Sequence, residues 1–199
     1  MCGRYYVKSS LNDDIIRVVK KIDPSCDVNA LPKSSVVNHD VHPADEALII
    51  TSANPVCQIM RWGFSYSENA NLIINARAES VEEKRMFRES VRHHRCVIPA
   101  SGFYEWNSEK EKVVFFRESN TLVYMMGFYD MIRNEPRFVI LTTGANDSMK
   151  PVHDRMPCII EENQIYDWLM DDGKTSFFLN AGSPMLQRKQ EYEQQRLFA

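Results

Sequence analysis

The chain has 199 residues, of which 44% are hydrophobic, 11% aromatic and 26% charged; that is the composition of a soluble globular protein and excludes a disordered tail. The length suits one domain with a sizeable core. Lys and Arg number 24 against 27 Asp and Glu, a formal net charge of -3, which argues against a protein that coats nucleic acid over its whole surface but leaves a local basic cleft open.

Met1-Cys2-Gly3-Arg4-Tyr5 carries no apolar signal region, and no later stretch approaches the roughly 18 apolar residues of a membrane span, so a cytoplasmic protein without a membrane partner is expected. Helical period appears from Leu11 to Ile22, with Leu11, Ile15, Ile16, Val18, Val19 and Ile22 on one side and Asn12 or Asp13 as cap. β-like runs follow at Ala47 to Thr51 and Val56 to Trp62. A second helix is predicted from Val81 to about His93, where Ser80 and Glu83 have capping-box spacing. Further β-like runs occupy Cys96 to Pro99, Lys112 to Phe116, Thr121 to Tyr129 and Arg137 to Thr143, and Arg117-Glu118-Ser119-Asn120 reads as a hairpin loop between two of them. Glu162 to Met170 predicts a third helix that buries Ile165, Trp168 and Leu169, and a tail helix is predicted from about Met185 to Gln195.

Strands outnumber helices without alternating regularly with them. The pattern predicts an α+β fold spanning residues 1–199 as a single domain, with a curled, mainly antiparallel, barrel-like sheet and peripheral helices. Neither G-x-G-x-x-G nor a G-K-S/T loop is present, so no nucleotide cofactor is expected.

The five cysteines Cys2, Cys26, Cys57, Cys96 and Cys158 are odd in number and widely spread, which fits neither a disulfide framework nor a Cys-based zinc site. His39 and His42 form a lone H-x-x-H without further ligands, so no metal is expected either. Cys2 stands apart by position. Removal of the initiator Met, which small second residues generally permit, gives it an α-amine beside its thiol. The reference pKa of the amine is about 7.7–8.0 and that of the thiol about 8.5, so both are partly nucleophilic near neutral pH. Together they can capture one aldehyde carbon: the amine forms an imine, the thiol adds to it, and a thiazolidine ring closes.

Other groups suited to such chemistry stand in tight apolar contexts. Asn75 and Arg77 follow the apolar run Leu72-Ile73-Ile74, as polar side chains at a strand end would, and Glu105 lies between Tyr104 and Trp106, where a carboxyl is a candidate for a raised pKa and proton transfer. His153 is pinned between Pro151 and Pro157 beside Asp154 and Arg155, which are placed to set its tautomer. From Lys84 to Arg95 there are five Lys or Arg and one Glu. The spacing of Arg85, Arg88, Arg92 and Arg95 predicts one basic helix face, which is either simply solvated or a phosphate track.

Met1-Cys2-Gly3-Arg4-Tyr5, Ile74-Asn75-Ala76-Arg77-Ala78-Glu79, Cys96-Val97-Ile98-Pro99 running into Gly102-Phe103-Tyr104-Glu105-Trp106, Thr142-Thr143-Gly144-Ala145-Asn146 and His153-Asp154-Arg155-Met156-Pro157 together resemble the SRAP family. These are the SOS-response-associated peptidase-like proteins that shield abasic sites in single-stranded DNA. The five blocks occur in family order within residues 1 to about 170, and the stretch from Ala181 is divergent. The resemblance implies a processed Cys2 as nucleophile and DNA cross-linking residue, with Asn75 orienting the sugar adduct, Glu105 shuttling protons at the α-amine and His153 assisting sugar opening. It also implies Arg4, Arg77 and Arg85 on phosphates, Thr142 at the DNA, Pro32 of the Asn29-Ala30-Leu31-Pro32 loop as a wedge between bases, and Trp62 beside it. The family usually follows its Trp-Gly with a Pro and further Trp; here Phe64-Ser65-Tyr66-Ser67 follows, so base stacking is expected to pass to Phe64 or Tyr66.

The expectation is therefore a cytoplasmic, DNA-associated damage-response protein, by default a monomer, that captures the aldehyde of an abasic site in single-stranded DNA, with AP-lyase and autopeptidase chemistry as accompanying activities. Two other readings fit the same residues: an N-terminal nucleophile amidohydrolase that uses Cys2, and a non-catalytic single-stranded nucleic-acid binding module.

Overall fold

The computed structural model describes residues 2–8, 12–27, 39–54, 56–67, 71–118 and 121–191. Five strands close a circuit: β3 (Glu46–Thr51), β4 (Cys57–Trp62), β6 (Arg95–Ala100), β9 (Val123–Ile132) and β10 (Glu135–Gly144). Strand β3 pairs with β4 and β6, β9 with β6 and β10, and β10 returns to β4 through the only parallel join in the ring, Arg137 opposite Arg61 and Phe138 opposite Trp62. A second sheet runs β13 (Gln187–Glu191), β8 (Lys112–Phe116), β7 (Gly102–Trp106), β1 (Tyr5–Val7), β2 (His39–Val41). Short strands β5 (Asn75–Arg77), β11 (Arg155–Pro157) and β12 (Ile159–Ile160) extend the ring, the first two along β10. The curled, mainly antiparallel α+β architecture is the one expected from the sequence.

Buried side chains fall into two clusters. One takes Ile15, Val18 and Val19 of α1 (Asn12–Ile22), Phe64, Phe87, Phe128 and Trp168 of α3 (Ile165–Met170); the other takes Cys2, Tyr5, Trp62, Phe103, Phe115 and Phe138. Helix α1 forms where its period predicts, with Asp13 and Asp14 in the first turn and Lys20 and Lys21 in the last, both favourable to the helix dipole.

Three expectations need correction. The helix over Val81 to His93 is only α2, Arg88–His93, and residues 81–87 are turns. Val81 and Phe87 are both buried, and at about 100° per residue a continuous helix would point them roughly 120° apart. Lys112 to Phe116 and Thr121 to Tyr129 do not form a hairpin: β8 pairs with β7 and β13, whereas β9 belongs to the ring. The hairpin is instead β9–β10, turned by Arg133 and Asn134 at φ 54 and 63, the left-handed pair of a tight two-residue loop. The tail from Met185 holds strand β13 rather than a helix, because Gln187 to Glu191 complete the free edge of β8. Among the described residues no helix is long and apolar enough to cross a membrane.

Candidate functional site

Cys2 lies just before β1 and is wholly buried. Its backbone carbonyl accepts a hydrogen bond from Asn75 Nδ2 at 2.9 Å, so residues 73 positions apart meet directly. Asn75 opens β5, which runs parallel to β10 with Ile140 opposite Asn75 and Thr142 opposite Arg77. Ala76 between them is buried, so Asn75 and Arg77 leave the other face together, about 6.6 Å apart along the strand. Arg77 is exposed and makes no ion pair among the described residues.

Glu105 lies on β7, 4% exposed, while its neighbours Tyr104 and Trp106 face outward. Burial pushes the Cys2 thiol up to about 12, the nearby Glu105 carboxylate adds to this, and the hydrogen bond from Sγ to the Arg4 carbonyl, 3.8 Å, opposes it. Burial thus favours the neutral thiol at physiological pH in the chain that carries Met1. Arg4 extends over the Trp106 ring, 5.4 Å from its centroid, and stands 3.8 Å from Asp40.

His153 follows a turn that begins at Met149, and Met149, Val152 and Ala145 pack with the cluster that contains Cys2. Two groups face His153 Nδ1, the Arg155 backbone N–H and Asp154 Oδ1, each at 2.9 Å. Among the described residues no group of His, Cys, Asp and Glu is arranged to hold a metal ion.

Several expected DNA contacts are placed differently. Thr142 is fully buried, with Oγ1 donating to the Ala76 carbonyl and accepting from Arg155, so it supports the site from beneath instead of facing DNA. Trp62 is also fully buried, packed between Tyr5 and Phe138 with ring centroids at 5.3 and 6.2 Å. Its indole N–H donates to the Ile74 carbonyl at 3.0 Å, which fixes the chain just ahead of Asn75. Neither ring face is left for a base. Gly63, at φ 103, turns the chain immediately afterwards; a Cβ there would lie 2.6 Å from Leu72 Cγ. Phe64 is buried against Phe128, and Tyr66, 46% exposed, is the aromatic of that segment open to solvent. Pro32 and its loop lie outside the described residues.

The four-arginine face does not form. Arg95 is buried on β6 and donates to the carbonyls of Trp168, Leu169 and Arg92, to Thr175 and to Asp172. Arg88 donates to the Glu82 carbonyl and Arg92 to its carboxylate. Arg85 is exposed in the turn and makes no ion pair among the described residues.

Sequence reading underrated Arg155. Its guanidinium grips Glu79 through two bonds of 2.7 and 2.9 Å and donates to the Thr142 carbonyl at 2.7 Å, tying the end of β5 to β10 and β11. Both partners stood in the quoted motifs, and only the pairing was hidden.

A buried thiol, a carboxamide on its backbone, an inward carboxylate and a strand-end arginine with no ion pair among the described residues thus lie on neighbouring elements of the fold. The chain belongs to the SRAP family, SOS response associated peptidase, whose family model matches residues 1–194. It is 30% identical over 188 residues to the abasic site processing protein YoaM of Bacillus subtilis (strain 168), covering 85% of this chain and 79% of that protein, and 32% identical over 187 residues to abasic site processing protein YoqW of the same organism, covering 85% and 80%. A crystal structure of a protein from Bacteroides thetaiotaomicron shares the fold, with TM-score 0.76 at 22% identity over 95% of this chain and 91% of that one.

Proposed function

We propose that this protein processes abasic sites in single-stranded DNA by capturing the lesion's aldehyde on Cys2. The reading rests above all on the direct bond between Asn75 and the Cys2 backbone, beside Glu105. It is supported by the names of the relatives, which are abasic site processing proteins. Intact nucleotides offer no aldehyde, so the chemistry itself selects the lesion.

The neutral thiol sets the order of steps. Once Met1 is removed, the α-amine of Cys2 adds to the aldehyde carbon, and the resulting carbinolamine loses its hydroxyl and a proton as water to leave an imine. The S–H then adds across C=N: the S–C bond forms, and the thiol proton passes to nitrogen. Glu105 carries protons among oxygen, nitrogen and sulfur, as the buried carboxylate whose field reaches the Cys2 thiol. Asn75 holds the Cys2 carbonyl and so fixes the direction of the amine. His153 donates to the sugar oxygen as the ring opens. Arg77 and Arg85 take phosphates on the exposed edge. The imine stage also provides a route to β-elimination and strand cleavage, and removal of Met1 by the same centre accounts for the family's peptidase label.

Incubation with a single-stranded oligonucleotide that contains one abasic site is expected to give a heat-stable protein–DNA adduct, lost in Cys2→Ala. An adduct that persists in that variant would overturn the mechanism. Salt-sensitive binding without any adduct would mark a binding module, and turnover of small amides an amidohydrolase.

A further inference from the structure

On β1 and β7, Tyr5 and Glu105 are buried, and their neighbours Tyr6, Tyr104 and Trp106 lie on the opposite, outer face of the second sheet. Three cations are seated over rings there. The Arg4 guanidinium stands 5.4 Å from the Trp106 centroid, Lys112 Nζ 4.9 Å from that of Tyr104, and Lys8 Nζ 5.6 Å from that of Tyr6. The rings are themselves held. Tyr6 and Tyr104 pack at 5.3 Å, and the Tyr104 hydroxyl donates to Asp40 at 2.9 Å. Gly102 leaves the space that Tyr6 occupies, since a Cβ there would lie 2.7 Å from its Oη. Lys189 of β13 stands opposite Val114, itself opposite Tyr104, so register brings it to the same face. From β1 to β13 the face crosses three strand intervals, about 14 Å.

An aromatic ring positions a cation without neutralising it, so these charges remain available to a ligand. Lys8 and Lys189 are exposed and make no ion pair among the described residues. Asp40, 3.8 Å from Arg4, and Glu191, opposite Lys112 in register, bring two negative charges against the four of Arg4, Lys8, Lys112 and Lys189. The face is thus positive in a chain whose net charge is -3. It also adjoins the nucleophile in sequence: Arg4 is two residues from Cys2, and Trp106 follows Glu105.

We propose that the outer face of this sheet takes the single strand flanking the lesion, with Lys8, Lys112 and Lys189 contacting its phosphates in series with Arg4. A row of positioned cations about 14 Å across matches a polyanion. The exposed Trp106 ring offers a surface on which an unpaired base stacks and a paired base does not. The proposal rests on single-stranded DNA being the ligand and not on the covalent step.

Salt dependence of binding tests it, with an undamaged single strand of about 16 nucleotides. Lys8→Gln, Lys112→Gln and Lys189→Gln combined are expected to reduce the slope of log affinity against log salt by about 2, at about 0.7 per phosphate contact. Arg at the same three positions should keep the slope. An unchanged slope in the Gln variant overturns the proposal and leaves the lysines as solvating charges, and a slope lost in the Arg variant as well overturns it as a packing defect. A slope that falls equally for a blunt duplex overturns the assignment to single strands. Should the triple Gln variant melt early, Lys189→Gln alone, on the exposed edge strand, decides the matter with an expected loss of about 0.7. Adduct formation by the unsubstituted protein on an abasic strand is measured separately, and its absence overturns capture on Cys2 while the slopes still decide the role of this face.

Discussion

Arg85 and Arg95 belong to one basic run in the sequence and have opposite fates. Arg95 spends its donors on backbone carbonyls at the end of α3 and on Thr175 and Asp172, buried from solvent. Arg95→Ala leaves those carbonyls unpaired and is expected to cost about 3 kcal/mol of stability, read as a lowered denaturant midpoint. Arg85→Ala removes an exposed cation without a partner. It is expected to leave the midpoint unchanged, to weaken binding of single-stranded DNA, and to reduce the slope of log affinity against log salt by about 0.7. Spacing alone could not separate the two, because period reports where a side chain points along a helix and residue 95 already lies in a strand. Thr142 and Trp62 show the same limit. Their chemistry suits a DNA surface, but the fold uses their polar atoms internally, on Ala76, Arg155 and Ile74.

At the scale of elements, α1 is legible from its helical period, and the strands near residues 46–62, 95–100 and 135–144 from short apolar runs buried on both faces. Partners were not legible. The adjacency of β8 and β9 in sequence suggests a hairpin, yet they serve different sheets, and β13 pairs with β8 across about 70 intervening residues; a short apolar run does not specify its neighbour. Of the site residues Cys2, Asn75, Glu105 and His153, which their chemistry singles out, the first three are brought near one another by the pairing of β1 with β7 and by the bond from Asn75 to the Cys2 carbonyl. Arg155 secures that meeting by binding β10 to the turn after β5. Arg155→Ala is expected to cost about 2 kcal/mol and to slow adduct formation. Arg155→Lys should recover little of either, because an ammonium does not reproduce the two-pronged grip on Glu79; thermal melting and adduct yield check both.

For the whole molecule, stability is expected to form a plateau with a limb on each side. Glu79, Glu135, Glu162 and Asp172 are each held below the usual carboxylate range, chiefly by hydrogen bonds from Arg155, Arg61, Arg17 and Arg95 respectively. A lowered folded pKa stabilises above the unfolded value of about 4 and is lost as pH falls through the folded one. Burial raises the Cys2, Cys57 and Cys158 thiols to about 12, and that contribution is complete below about 8.5 and is lost as pH rises toward the folded values. Tm should therefore be nearly flat from about pH 5 to pH 8.5 and fall outside that range. Glu135→Gln should blunt the acid limb.

Glu135 has a further significance, because the ring closes where Arg61 and Arg137 face each other in register and its carboxylate is bonded to both. The join is parallel, the weaker kind of pairing, and two like charges meet across it. Removing the carboxylate, as in Glu135→Ala, is therefore expected to weaken this join first, one register pair from the Trp62–Phe138 stack and the indole bond to Ile74, read as faster amide exchange along β4 and β10.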